Sequence, residues 1–220
     1  MMIVILLGAP GSGKGTQAVP IAEHLGLPII ATGDLFRAAV REGTAVGLEA
    51  RRYMDAGRLV PDEITIRLLR DRLARADAQG GAILDGFPRT RAQAEALDRV
   101  LAEEDARVER ALLIDVPTED LVRRMAGRRV CQANGHPFNI TSNPPHVPGI
   151  CDIDGSPLIH RDDDREETVR ARMATQIPPL EEVVDHYRKH GVLISVDGRL
   201  PIDEVQTALV RALDAQGDPA

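Results

Sequence analysis

A chain of 220 residues, 43% hydrophobic and 28% charged, can bury one sizeable core with small insertions but not two large independent domains. Its formal net charge of -7 disfavours a general polyanion-binding surface, and an aromatic share of 2% with no Trp leaves no stacking platform for single-stranded nucleic acid. No nucleic-acid partner is expected; a phosphorylated ligand has to be small and held by locally clustered cations.

The first element is an apolar run over residues 2–7 that meets Gly8-Ala9-Pro10-Gly11-Ser12-Gly13-Lys14-Gly15-Thr16 and then a helical pattern. This is the strand, phosphate loop and helix unit of a nucleotide-binding protein. Glycines let successive backbone N–H groups converge on phosphate oxygens, so Gly11, Ser12, Gly13, Lys14, Gly15 and Thr16 are candidate triphosphate ligands. Lys14 brings charge toward the outer phosphates. Thr16 places a hydroxyl near magnesium, although Gly15 separates it from the lysine where the general motif has Ser or Thr. The apolar run is too short for a signal segment and no stretch approaches bilayer length, so a cytoplasmic protein without a membrane partner is expected.

In the helix that follows, Pro20 predicts a kink. Further apolar runs at 28–30, 82–84, 111–114 and 192–196 read as buried parallel strands, with helical patterns between them, as at 91–104. The predicted fold is α/β: a P-loop NTPase-like, open, parallel five-stranded sheet flanked by helices. Thr32-Gly33-Asp34 and Asp85-Gly86-Phe87-Pro88-Arg89 follow strand ends and should share one cleft with the phosphate loop. Asp34 is equally a helix cap.

Two segments break the alternation. Residues 31–60 are helical in composition and stop at Pro61; residues 128–164, rich in Pro, Gly, Asn and His, read as an irregular or hairpin insertion. Both are expected to be mobile subdomains over the cleft, leaving 1–30, 61–127 and 165–220 as the core. Pro178-Pro179 should break the long helical stretch beginning near Glu166.

With the phosphate loop, Thr32-Gly33-Asp34, Asp85-Gly86-Phe87-Pro88-Arg89-Thr90 with Gln93, and Gly127-Arg128-Arg129 in order, the chain resembles the adenylate kinase family, in its long-lid form, over nearly its whole length. The resemblance implies an AMP-binding flap at 31–60, a lid at 128–164, and reversible, magnesium-dependent transfer between ATP and AMP giving two ADP by a monomer. It assigns Arg124 and Arg128 to ATP phosphates, and Arg161 and Arg172 to the transferring group and AMP. On the AMP side it adds Thr32, Arg37, Arg58, Leu59, Val60, Gly86, Phe87, Pro88, Arg89 and Gln93. Leu200, after Val196-Asp197-Gly198, falls where family members contact the ATP adenine.

The chemistry of these residues agrees. An ionised phosphate acceptor needs no strong general base, so positioning and charge neutralisation remain. Lys14, Arg37, Arg89, Arg124, Arg128, Arg161 and Arg172 supply the cations, and Arg124 and Arg128 share a helix face. Asp85 would orient magnesium through water. The Gln93 carboxamide offers a donor beside an acceptor, matching the Watson–Crick edge of adenine. Thr32 and Gln93 favour AMP over the other monophosphates that kinases of this scaffold take. A non-catalytic P-loop protein is the reading from another class.

One branch of the family carries a structural zinc in the lid. The corresponding positions here are Cys131 with Asn134 and Cys151 with Asp154, with His136 as an alternative to Asn134 for the fourth ligand. Asn134-Gly135 and Asp154-Gly155 are also tight-turn dipeptides, so a zinc lid and a lid held by hydrogen bonds both stay open. The chain departs from the family where Ile177-Pro178-Pro179-Leu180 and His186-Tyr187 replace a Thr-x-Pro-Leu stretch and a pair of tyrosines.

Overall fold

The computed structural model describes residues 1–215; residues 216–220, which the expected core domain includes, lie outside the described residues. Strand β1 (Met2–Leu7) pairs in parallel with β3 (Gly81–Asp85) on one side and β4 (Arg107–Asp115) on the other. β2 (Ile29–Ala31) extends the sheet beyond β3, and β8 (Leu193–Asp197) beyond β4, giving five parallel strands in the order β2-β3-β1-β4-β8. Both sheet faces are covered. Ile3, Ile5 and Leu7 join one apolar cluster while Val4 and Leu6 join the other, which is why β1 is apolar at every position instead of alternating.

The helices α1 (Lys14–Leu25), α4 (Asp62–Leu73), α5 (Arg91–Ala102), α6 (Thr118–Gly127), α7 (Glu166–Lys189) and α8 (Ile202–Asp214) cover the sheet. None of the described helices is long and apolar enough to cross a membrane. Connections leave the carboxyl ends of β1 and β3 toward opposite sides of the sheet. That arrangement opens a crevice at the carboxyl edge.

The expected break at Pro178-Pro179 needs correcting. α1 continues through Pro20, and α7 runs unbroken through Pro178 and Pro179. A helical proline orphans the carbonyl four residues earlier. For the α7 pair these belong to Ala174 and Thr175, both exposed, where water can take the lost bonds. The two halves of α7 are each held by packing, through Val169, Met173 and Gln176 on one side and Val183, Val184 and Tyr187 on the other. Tertiary burial outweighs local propensity.

The two insertions have cores of their own. Helices α2 (Thr32–Arg41) and α3 (Ala45–Asp55) enclose Phe36, Ala50 and Val60. They cross closely at Gly47, where an added Cβ would sit 2.1 Å from the Ala39 carbonyl oxygen. The other insertion is a small antiparallel sheet ordered β6-β5-β7, made of β5 (Arg128–Cys131), β6 (Pro137–Asn139) and β7 (Leu158–Ile159). Its core is Cys131, Phe138 and Cys151.

Candidate active site

A cleft of about 920 Å³ lies at the carboxyl edge of the sheet, beneath the β5–β7 insertion, and a cavity of about 70 Å³ lies against the α2–α3 insertion. Gly33, Arg37, Gly86, Arg89, Asp163, Arg172 and Gln176 line both, so the two spaces share a wall rich in guanidinium groups.

The phosphate loop forms one end of the larger cleft. Gly8, Gly11 and Gly13 have φ of 147°, 85° and 101°, a region that side-chain-bearing residues rarely enter. Gly13 caps α1 without a side-chain hydrogen bond, and the first turn carries no acidic residue, leaving the Lys14 and Gly15 N–H groups and the positive end of the helix dipole for an anion, while Thr16 N–H donates to the Gly13 carbonyl. The Ser12 hydroxyl is buried with no partner. The Lys14 Nζ donates to the carbonyls of Gly8 at 2.7 Å and Ala9 at 3.0 Å. Burial lowers its pKa to about 8, helped by Arg89, Arg172 and Arg128 and opposed by Asp85. Asp85 ends β3 and faces the loop, with a carboxylate oxygen 3.8 Å from the place a Cβ would take on Gly15. Arg124 donates to the Gly198 carbonyl at 2.8 Å, and Leu200 lines the same end of the cleft.

The shared wall gathers the remaining cations. Arg89 donates from Nε to the Gly86 carbonyl at 2.7 Å and from Nη1 to the Gln176 Oε1 at 3.2 Å. Arg172 pairs with Asp163 at 3.0 Å, Arg37 with Asp34 at 2.6 Å, and Arg128 grips both carboxylate oxygens of Asp164. Burial pushes Arg89 down to about 10 with Arg172 adding to the effect, and pushes Arg161 down to about 10 with Arg37 and Arg128 adding. Arg172 is lowered the same way. Buried cations that depress one another make a site short of negative charge.

Asp163 and Asp164 were not anticipated. They lie in the acidic run between Arg161 and Arg165, and Asp164 is fully buried. Burial alone would raise the Asp163 carboxyl, but Arg172, Arg128 and Arg161 outweigh it and hold it low. The signal was an acidic triplet flanked by arginines, which reads equally well as a solvated turn. Gln176 also escaped notice: its Nε2 donates to the Gly57 carbonyl at 2.9 Å while its Oε1 receives Arg89.

The smaller cavity brings together Thr32, Arg37, Arg58, Leu59, Val60, Gly86, Arg89 and Gln93. Thr32 donates to the Gly86 carbonyl at 2.9 Å, and the Arg58 guanidinium sits over the Tyr53 ring at 5.4 Å. The Gln93 Oε1 accepts from the Arg89 N–H at 2.8 Å and its Nε2 donates to Asp62 at 2.7 Å. Each end of the amide keeps one further hydrogen-bonding position. Asp62 also receives the Thr90 hydroxyl, which in turn caps α5 at the Gln93 N–H. Two expectations shift here. Phe87 is buried in the core beside Leu84 and Leu97 and lines neither space, although Gly86 and Pro88 do line the site. Asp34 does not cap α2; Ala31 holds that place and Asp34 pairs with Arg37.

In the β5–β7 insertion the donor atoms of Cys131, His136, Cys151 and Asp154 lie within 4.8 Å of one another. Cys131 Sγ is 3.1 Å from Asp154 Oδ2, and His136 Nδ1 is 3.3 Å from Cys151 Sγ. Asn134 lies against these groups, donating from its backbone N–H to Cys131 Sγ at 3.4 Å and from Nδ2 to Asp154 Oδ2 at 2.7 Å. The latter bond and the Ser156 N–H hold the Asp154 carboxyl well below its ordinary range, while burial raises the Cys151 thiol. The two cysteines form no disulfide.

Comparison with known proteins agrees with this geometry. A family model described as adenylate kinase matches residues 6–192. The chain is 48% identical to an adenylate kinase of Streptomyces griseus over 99% of its own length and 100% of that protein's. It is 46% identical to one from Exiguobacterium sibiricum, over 98% and 100%, and 45% identical to one from Staphylococcus aureus, over 97% and 99%.

Proposed function

Since the chain belongs to the adenylate kinase family and is an AMP-phosphorylating nucleotide kinase, we propose that ATP occupies the larger cleft, AMP the smaller cavity, and the transferring phosphoryl group the wall between them. The observation that carries this assignment is the shared wall itself. Arg37, Arg89 and Arg172 face both spaces, and the depression of the Arg89 and Arg172 pKa values marks a place that the phosphates of two nucleotides would neutralise.

The residues divide the work by position. Loop N–H groups from Gly11 to Thr16 and Lys14 hold the ATP phosphates, with Arg124 and Arg128 on the opposite side and Leu200 against the base. Thr32, Arg58, Leu59, Val60, Gly86, Pro88 and Gln93 hold AMP, and Gln93 reads the adenine with its remaining donor and acceptor. Arg89, Arg161 and Arg172 neutralise charge on the transferring group, so transfer proceeds by orientation and electrostatics without a general base. Magnesium bound to ATP supplies further neutralisation of phosphate charge. The hard oxygens of Asp85 and Thr16 at the loop suit that ion.

The chain divides on this reading into a core at 1–30, 61–127 and 165–220, an AMP-binding flap at 31–60 and a lid at 128–164. Cys131, Cys151, Asp154 and His136 would hold a structural zinc, with two soft thiolates, an imidazole and a carboxylate fitting a closed tetrahedral set. It would serve lid stability, since no coordination position stays open for chemistry. The protein is read as a cytoplasmic monomer.

A coupled ADP-formation assay with ATP, with and without magnesium, and with AMP, CMP, UMP or GMP as acceptor tests the reading. AMP should be preferred, with turnover requiring magnesium. Faster turnover with CMP or UMP would overturn the assignment of the smaller cavity.

A further inference from the structure

Far along α7 from the cleft, the His186-Tyr187 departure creates a second cluster of ligating side chains. Asp98 on α5, His186 on α7 and His190 just past the end of α7 present donor atoms within 4.8 Å of one another. His186 Nε2 lies 2.7 Å from Asp98 Oδ2. His186 and His190 are four residues apart, so their rings lie one above the other at a centroid distance of 4.4 Å. We propose that these three residues form a transition-metal site that takes a divalent cation of the zinc or nickel type and ties α5 to the end of α7.

Two features favour a ligand site over a simple ion pair. First, His190 Nδ1 lies 2.8 Å from the His186 carbonyl oxygen and, as the donor in that bond, leaves Nε2 with a free lone pair. Metal-binding histidines are oriented by this kind of bond from the other ring nitrogen. Second, the His186 ring is held in place, with the Tyr187 ring edge-on at 4.9 Å and an interplanar angle of 89°, and its side chain is only 9% exposed.

Two imidazoles and one carboxylate select zinc, nickel or copper over magnesium and calcium, which favour all-oxygen sites. A cation bonded at about 2.1 Å spans ligands up to about 4.2 Å apart, so the exposed His190 needs to move by less than about 1 Å. Water would fill the remaining coordination positions. None of the three residues lines the nucleotide cleft.

Zinc titration of the full-length, metal-stripped protein against a chromophoric chelator tests the site, with His190→Gln, Asp98→Asn and Cys151→Ser variants in parallel. The parent should bind two equivalents. His190→Gln and Asp98→Asn should each weaken one of them at least about tenfold while ATP-plus-AMP activity stays unchanged. Cys151→Ser should lose the other. A parent binding one equivalent that survives Cys151→Ser and is lost in His190→Gln would defeat the lid-zinc reading and keep this one. If His190→Gln and Asp98→Asn hold as much zinc, as tightly, as the parent, the α5–α7 site is refuted.

Discussion

Asp164→Asn should loosen the empty enzyme and do so less when both nucleotide sites are filled. The Asp164 side chain is fully buried, and Arg128, whose side chain is 24% exposed, grips both of its oxygens while Arg172 lies 3.7 Å away. Arg128 opens the first strand of the β5–β7 insertion and Asp164 stands on the chain returning from it, so the pair fastens the two crossings together. Removing one partner of a buried pair costs about 3–5 kcal/mol; the partial exposure of Arg128 reduces this to roughly 2–3 kcal/mol. For a chain of this size that corresponds to a fall in Tm of roughly 4–12 °C. Thermal unfolding followed by circular dichroism would measure it. An analogue joining two adenosines through phosphates supplies the missing negative charge to Arg128, and should raise the Tm of Asp164→Asn more than that of the parent. Equal shifts in the two proteins, or a variant melting within about 2 °C of the parent without ligand, would refute the account of Asp164 as counter-charge to the site.

Lys14→Ala should fold normally and lose at least about a hundredfold in turnover, because a charge aimed at the transferring phosphates goes with it; single-turnover kinetics would separate this from weaker binding. The Lys14 pKa of about 8 against an ordinary 10.5 means that, between those values, the unfolded chain carries a proton that the folded chain lacks, so this group makes the empty protein more stable as pH rises through that window. Phosphate at the loop restores the charged form, and calorimetry in buffers of different ionisation enthalpy should show proton uptake on ATP binding near pH 8.5 and little near pH 6.5. Chelation of zinc should lower the Tm of the parent by more than that of His136→Gln, which lacks the lid ion, measured on protein with metal content determined beforehand. Gln93→Ala should chiefly relax base choice in the acceptor panel; an equal loss toward every monophosphate would contradict the base-reading role.

Family, sheet and the location of the cleft were legible in the residue order. The phosphate loop needs glycines at set places after a buried strand, and continuous apolar runs such as that of β1 arise only when both faces of a strand are covered. Residues 31–60 and 128–164 break the strand–helix alternation in the sequence, and the structure has helices α2 and α3 and the β5–β7 sheet there.

What the order of residues could not reveal depends on partners distant along the chain. Whether Pro178 and Pro179 break a helix is decided by the packing on either side of them and by where the orphaned carbonyls point. Phe87 occupies a core position because β3 and α5 close over it, although its motif is otherwise devoted to the site. That His136 comes within 3.3 Å of the Cys151 sulfur depends on how the β5–β6 turn bends, and neither residue type nor spacing states that. Asp163, Asp164 and Gln176 acquire their meaning only when the return from the lid brings them against Arg172, Arg128 and Arg89. Residue type and local spacing thus determined which chemistry this protein could perform. Which charges are buried, paired and pointed at one another was left to the tertiary structure, because electrostatic interactions in a partly dry cleft depend on distances and burial that no single segment of chain controls.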